Sequence, residues 1–137
     1  MTRHIKDRCI CPCCGYPTLE ELSAYEICEL CNWEDDGQGD ADADSVRGGP
    51  NSDYSLTEAR ENFTRYRIMY APGQDQRITG ADSILQYETK GLLIAAFKRW
   101  RESFVAGRTS LEPEISRLEQ ILLDEVSRQV SEYEKNS

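Results

Sequence analysis

The sequence contains a single histidine, His4, among its 137 residues, so histidine-based acid–base catalysis has only one candidate. That histidine lies in a basic N-terminal stretch with no catalytic partner nearby, and we expect it to be a surface residue. A pair of acids could replace a histidine, but the clustered acids lie in one polar loop, where nothing positions a nucleophile beside them. The sequence therefore predicts a protein that is not an enzyme.

Long hydrophobic runs are also missing. The longest apolar stretch is residues 91–97, whereas a membrane-spanning helix needs about 20 apolar residues. No apolar segment follows the early positive charges, as it would in a secretory signal peptide. We therefore expect no membrane contact and a cytoplasmic location.

Basic residues are in short supply. The chain has 16 Lys and Arg against 25 Asp and Glu, which gives a net charge of −9. Binding to phosphates needs clustered Lys and Arg, so nucleic acid is disfavoured. The negative charge favours a basic protein partner or, alternatively, serves only the solubility of the chain. The acids concentrate in a polar loop at residues 34–53, where we expect no regular structure. This loop is interpreted as a solvated segment or as a partner-binding surface formed by Glu34, Asp35, Asp36, Asp40, Asp42 and Asp44.

Cysteine is absent after residue 31, so any crosslink among the six cysteines organises only the N-terminal quarter. In a cytoplasmic protein such a group favours metal ligands over disulfides. Two Cys-x-x-Cys pairs with a hairpin-length insert between them are typical of a zinc ribbon, and the four predicted ligands are Cys11, Cys14, Cys28 and Cys31. Tetrahedral thiolate coordination selects zinc, with iron as the alternative, and leaves no position for a reactive water. We therefore predict one structural zinc ion.

The residues around each Cys-x-x-Cys turn, called a knuckle below, favour the same interpretation. Gly15 and Asn32 each follow a pair, and both tolerate the left-handed backbone that the position needs. Pro12 fixes one dihedral angle of the first knuckle. Cys9 and Cys13 are left over, and they are interpreted as free thiols near the knuckle. The alternative is that they are redox thiols or alternative ligands beside the cluster.

Between and beyond the knuckles, aromatic and apolar residues predict how the ribbon is completed. Tyr25 and Ile27 alternate with polar neighbours, which predicts a short strand in one arm of a hairpin. We expect Trp33 to pack over the ribbon and to join it to the first helix through Phe63 or Tyr66. The alternative is that Trp33 stacks on a base or fills a pocket of a partner.

The first of three predicted helices follows the polar loop. Ser55 and Glu58 have the spacing of a capping box, and the helix should continue to the Ala-Pro-Gly sequence at residues 71–73. Its apolar face is predicted to consist of Leu56, Ala59, Phe63, Tyr66 and Tyr70.

The second helix is predicted to begin at Asp82 or Tyr87 and to end at Val105, with Gly107 as its C-cap. Its apolar face should be formed by Leu92, Leu93, Ala96, Phe97 and Trp100.

The third helix should begin after Ser110, with Pro113 in its first turn. Its apolar stripe advances by three or four residues through Ile115, Leu118, Leu122, Val126, Val130 and Tyr133. Bases of the second helix and acids of the third favour antiparallel packing of the two. The stripe could serve either a core or a dimer.

The predicted fold is α+β: an N-terminal zinc ribbon, made of a short β-hairpin with two Cys-x-x-Cys knuckles, packed on about three α-helices. Residues 1–75 would form the ribbon domain with the first helix, and residues 76–137 a C-terminal helical hairpin. We expect the two parts to pack as one unit, because a small core needs either a metal or further burial.

Several motifs occur together in one order. They are Cys-Pro-Cys-Cys-Gly-Tyr at 11–16, Tyr-Glu-Ile-Cys at 25–28, Cys-Asn-Trp-Glu-Asp-Asp at 31–36, Gly-Gly-Pro-Asn at 48–51 and Ser-Leu-Thr-Glu-Ala-Arg-Glu-Asn-Phe at 55–63. Over roughly residues 9–70 the chain therefore resembles the bacterial cysteine-rich CPCC domain family. Glu29 departs from the pattern, since the family usually has proline there, but the ligand set is intact.

The resemblance implies a zinc-ribbon protein without an established enzymatic activity, and some members of the family lie beside bacterial toxins. It therefore favours an immunity protein that occludes a cognate toxin, with the acidic surface facing a basic cleft of that toxin. Two alternatives stay open. One is a nucleic-acid-associated zinc ribbon, with Lys-Arg-Trp-Arg at residues 98–101 as a weak candidate patch. The other is a thiol redox sensor that uses Cys9 and Cys13.

Overall fold

The computed structural model describes residues 4–72 and 82–136. The chain divides into two compact units, Met1–Asp75 and Gln76–Ser137. The first unit contains a two-stranded antiparallel hairpin of β1 (Cys9–Ile10) and β2 (Pro17–Leu19), followed by helix α1 (Leu56–Tyr66). The second contains α2 (Ile84–Glu102) and α3 (Val105–Lys135). A hairpin carrying the cysteines and followed by three helices confirms the α+β class; packing of the two units on each other stays a prediction.

The hairpin lies earlier in the chain than the alternation around Tyr25 and Ile27 predicts. Cys9 pairs with Leu19 and Ile10 with Pro17, so the first knuckle forms the turn. Ile27 makes only an isolated bridge to Glu34. Tyr25 has a left-handed φ of 59°, which interrupts an extended strand. The predicted strand at Tyr25 and Ile27 is therefore wrong, and both side chains are exposed.

Helix α1 begins as predicted but ends earlier. The Ser55 hydroxyl accepts a hydrogen bond from the Glu58 amide at 3.0 Å, and the Glu58 carboxylate accepts one from the Ser55 amide at 3.2 Å. The helix stops at Tyr66 because Arg67 is left-handed, with φ 64°. Tyr70 therefore lies outside the helix, although it is buried and its ring packs edge-on against that of Tyr54.

The connection between α2 and α3 also differs from the prediction. Ser83 caps α2, which ends at Glu102, and the next helix already begins at Val105. Gly107 therefore lies in the first turn of α3 instead of capping α2, and Pro113 lies inside α3. The prediction used Gly107 and Pro113 to mark the boundary between the two helices. The boundary lies earlier, because Ser103 is extended and ends α2 before the chain reaches either residue.

Helices α2 and α3 form an antiparallel pair. Near the link, the Arg99 guanidinium contacts both carboxylate oxygens of Glu114 at 2.9 Å, which is the expected charge complementarity. At the other end, the Ser83 hydroxyl donates to Glu125 at 2.7 Å. The buried core between the helices contains Leu93, Ala96, Phe97, Trp100, Ile115, Leu118 and Leu122. Among the residues of the two predicted apolar faces, Leu92 and Tyr133 are instead exposed. Among the described residues, none of the helices is long and apolar enough to cross a bilayer.

Candidate metal centre

The two knuckles have the same backbone geometry. In each one, the amide that follows the second cysteine donates to the carbonyl of the first: Gly15 to Cys11 at 2.9 Å and Asn32 to Cys28 at 2.8 Å. Both donors are left-handed, with φ of 78° for Gly15 and 71° for Asn32. The left-handed positions predicted from glycine and asparagine are confirmed. This turn aims the two sulfurs of each knuckle to one side of the loop.

The four predicted ligand sulfurs converge on one point. The Cys11 and Cys31 sulfurs are 3.7 Å apart, and those of Cys14 and Cys28 are 3.8 Å apart. All four lie within 4.8 Å of one another. Sulfurs bound tetrahedrally at about 2.3 Å from a central ion are about 3.8 Å apart, so the spacing fits a metal without rearrangement. The cluster could therefore hold one metal ion.

The electrostatics of the cluster also favour a cation. Burial raises the pKa of Cys14 and Cys31 well above the ordinary thiol value. A hydrogen bond with Cys14 lowers the pKa of Cys11, but bonds with Cys28 and Cys31, together with burial, raise it overall. Burial alone would raise the pKa of Cys28, yet hydrogen bonds from the other three thiols and from Thr18 hold it well below the usual value. A cation bound among the four sulfurs would favour their thiolate forms and release the thiol protons.

Neighbouring groups fix the second knuckle around the Cys28 sulfur. The Thr18 hydroxyl, supplied by β2, lies 3.1 Å from that sulfur, and the Cys31 amide donates to it at 3.5 Å. Cys11, Cys28 and Cys31 are fully buried, and Cys14 is half-buried. Four sulfur ligands would fill the tetrahedral positions of a bound zinc ion, and three of the four are covered by the chain.

Contacts from α1 and the segment after it complete the cluster, and the sequence patterns did not reveal them. The Arg60 side chain donates to the Pro12 carbonyl in the first knuckle at 2.9 Å. The Met69 amide donates to the Cys31 carbonyl at 2.9 Å. Trp33 is fully buried, which excludes the stacking alternative. Tyr16 packs edge-on against Phe63, with ring centroids 6.4 Å apart, and the contact of Trp33 with Phe63 or Tyr66 stays a prediction.

The two remaining cysteines stand outside the cluster of four. Cys9 is half-buried, and its thiol lies 3.7 Å from the Glu20 carbonyl oxygen. Cys13 is buried at the variable position of the first knuckle. Neither sulfur belongs to the group that could share one ion within the described chain.

The acidic loop is more ordered than expected, and Asp35 is the main reason. This carboxylate is buried and accepts hydrogen bonds from the Ser23 amide at 2.7 Å and the Gly37 amide at 3.2 Å. Asn51, also buried, pairs with both backbone groups of Glu34, accepting at 3.1 Å and donating at 2.8 Å. Asp35 therefore stabilises the loop from inside. The prediction that it belongs to a partner-binding surface is wrong, because its side chain is buried.

Most other acids of the loop have partners within the chain. Arg47 binds Asp42, whose pKa is lowered first by the Gly39 amide and then by that guanidinium. Asp44 accepts from the Thr57 hydroxyl at 2.6 Å. Asp40 contacts Arg60 at 2.8 Å but keeps a 91% exposed side chain. The predicted lack of regular structure is also wrong, because short 3-10 turns occur at Asp40–Asp42 and Gly49–Asn51.

Replacing Asp35 with alanine is expected to destabilise the first unit by about 2–3 kcal/mol, because two backbone amides lose the buried, charged acceptor that they share. The exposed Asp40 is the matched control, and Asp40→Ala should cost about 1 kcal/mol or less. Urea unfolding of the metal-loaded protein measures both. Equal, small losses would show that Asp35 does not organise the loop.

A cleft of about 150 Å³ opens beside the cluster, since Thr18 lies in its wall. The rest of its lining is mostly charged: Arg8, Glu20, Glu26, Ile27 and Glu29. Small-molecule sites usually measure about 300–1,000 Å³ and are mainly apolar. This cleft is smaller and more polar than such sites.

Comparison with known proteins identifies a family for this chain but no individual relative. No curated protein and no solved structure matches the chain. A family profile described as cysteine-rich CPCC matches residues 9–78, which include both strands, both knuckles and α1. The match covers half of the sequence and includes all four clustered sulfurs. The chain therefore belongs to the cysteine-rich CPCC family.

Proposed function

We propose that the cluster holds one zinc ion, and that this ion is a structural staple. Four thiolates form a saturated tetrahedral set for zinc, and a purely sulfur site disfavours magnesium and calcium. The observation that supports this proposal best is the 3.7–3.8 Å spacing of the sulfurs inside a closed shell. An ion held in this way would stabilise the first unit, and it would have no free position at which to activate a water molecule for catalysis.

A rigid, non-catalytic first unit in an acidic chain suits binding to another protein. The net charge of −9 would attract a basic partner and speed the encounter. We therefore extend the proposal to a protein-interaction module, most specifically an immunity protein that occludes the basic cleft of a cognate toxin. The family resemblance motivates the toxin, and the charge supports only the basic character of the partner.

The contacts within the acidic loop narrow the part of it that could face such a partner. Asp35 is buried, while Asp42 and Asp44 already bind Arg47 and Thr57. Asp40 keeps most of its carboxylate in solvent despite its contact with Arg60. We expect Asp40 to contribute more to partner capture than the other acids of the loop.

The two alternative functions receive less support. The basic segment at residues 98–101 lacks an exposed aromatic side chain, because Trp100 is buried. The guanidinium carbon of Arg108 lies 5.2 Å from the centroid of the Trp100 ring and covers it. Arg99 in that segment already binds Glu114. A redox sensor would need reactive thiols, and Cys13 is buried, which limits its access to oxidants.

The test is co-expression with the product of the neighbouring gene. We expect the two proteins to co-purify. If the product of the neighbouring gene is toxic to the cells, we expect co-expression of this chain to keep them alive. Asp40→Lys should slow association at low salt about tenfold, because a charge facing a basic surface changes sign. Asp124→Lys makes the same charge change at an exposed position on α3 and serves as the control. Absence of both complex and protection would reject the immunity proposal, whereas the zinc proposal is tested separately by metal content.

A further inference from the structure

Helix α2 presents a second apolar face that α3 does not cover. Leu92 is 59% exposed and Leu85 47%, although both lie in a helix whose other face forms the core. Residues 91–97 are apolar without interruption, so apolar side chains surround the middle of the helix. A helix that is apolar all round is normally buried on more than one side. Within the described residues of its unit, α2 packs on α3 alone.

The exposed stripe has a symmetric order of side chains. Glu88, Leu92, Ala95 and Arg99 follow one another at spacings of four, three and four residues, which places all four on one face. All four are exposed. The midpoint between Glu88 and Arg99 is also the midpoint between Leu92 and Ala95. From its N-terminal end the stripe therefore presents an acidic, a large apolar, a small apolar and a basic side chain, and from its C-terminal end the same four in reverse order.

This order makes the stripe complementary to itself when turned around. If two copies of α2 lie antiparallel about a two-fold axis at the midpoint, Glu88 of one faces Arg99 of the other, twice. Leu92 of each copy then meets Ala95 of the other, a large side chain against a small one. Arg99 already binds Glu114, but more than half of its side chain is exposed and a guanidinium has five donors. The same residue can therefore serve both carboxylates.

We propose that the exposed stripe of α2 is a dimer seam that binds a second copy of this chain in antiparallel orientation. Two such helical pairs would form a four-helix bundle, the arrangement by which amphipathic hairpins usually complete their core. The proposal is independent of the zinc ion and of any toxin.

The mass of the full-length protein in solution, measured by light scattering and sedimentation over a range of concentrations, tests the seam. We expect a dimer for the unchanged chain. Glu88→Arg alone and Arg99→Glu alone should each raise the dissociation constant on the order of 100-fold, because like charges then face each other twice. An equimolar mixture of the two variants should recover the dimer, since each introduced charge then faces an opposite charge on the other chain. Native mass spectrometry identifies that heterodimer.

Leu92→Glu should also give a monomer, and circular dichroism should show unchanged helix content. Leu123→Glu on α3 is the matched control, because Leu123 is a similarly exposed leucine of the same unit. This control variant should stay dimeric. A monomeric unchanged chain at every concentration overturns the proposal. So does a dimer that tolerates Leu92→Glu, or a mixture of the two charge variants that stays monomeric.

Discussion

Replacing Cys28 with serine is expected to abolish stoichiometric zinc binding and to unfold the first unit. The Cys28 sulfur contacts Cys14 at 3.8 Å and Thr18 at 3.1 Å, and it is the group in the cluster most readily ionised. A structural zinc ion contributes on the order of 10 kcal/mol of folding free energy. A whole domain is stable by only about 5–15 kcal/mol, so loss of the ion should remove most of this unit's stability.

The matched control is Cys13→Ser, a change of the same kind two residues from Cys11. Cys13 is buried but stands outside the four sulfurs that share one point, so this variant should keep one zinc ion per chain. Elemental analysis measures the metal, and hydrogen exchange measures protection in each unit separately. Retained zinc and protection in Cys28→Ser, or zinc loss in both variants, would contradict the assignment of the ligands. The α2–α3 unit should keep its protection in either case.

Local rules predicted the features of the site that depend on a few neighbouring residues. The left-handed Gly15 and Asn32, and the capping box of Ser55 and Glu58, each follow from a backbone requirement within four residues. The convergence of the two knuckles could be inferred because two Cys-x-x-Cys pairs have few uses other than a shared ion. Such rules need no knowledge of the tertiary structure.

The features that were mispredicted depend on contacts between distant parts of the chain. Asp35 belongs to a run of acids, and its burial and its bond with the Ser23 amide, twelve residues earlier, show that it is structural. Arg60 reaches the Pro12 carbonyl across 48 residues. Periodicity also misplaced helix ends, because Tyr70 is buried by the tertiary structure after α1 has stopped. Composition and spacing carry no signal for these contacts.

The second unit should depend strongly on one buried ion pair, and Asp82→Ala is expected to destabilise it by about 3–5 kcal/mol. Lys90 is almost completely buried, and its ammonium lies 3.0 and 2.9 Å from the two carboxylate oxygens of Asp82. The substitution leaves a buried ammonium without this carboxylate, which costs more than the pair itself contributes. Thermal or urea unfolding of the α2–α3 unit, followed by helix content, measures the loss.

Lys90→Met is the informative partner variant, because an acid can escape the cost of burial by taking up a proton. Desolvation already raises the pKa of Asp82, although Lys90 lowers it in part, and the methionine removes that opposing effect. A raised pKa in the folded state adds stability below the ordinary carboxyl pKa, and this gain is lost as the pH rises through the folded value. Lys90→Met should therefore cost little near pH 4 and more near pH 7, while Asp82→Ala stays unstable at both. At pH 7 the double variant should be closer in stability to the unchanged protein than either single variant is, since both charges of the pair are then removed. Equal pH profiles for the two single variants would show that the pair is not buried as a unit.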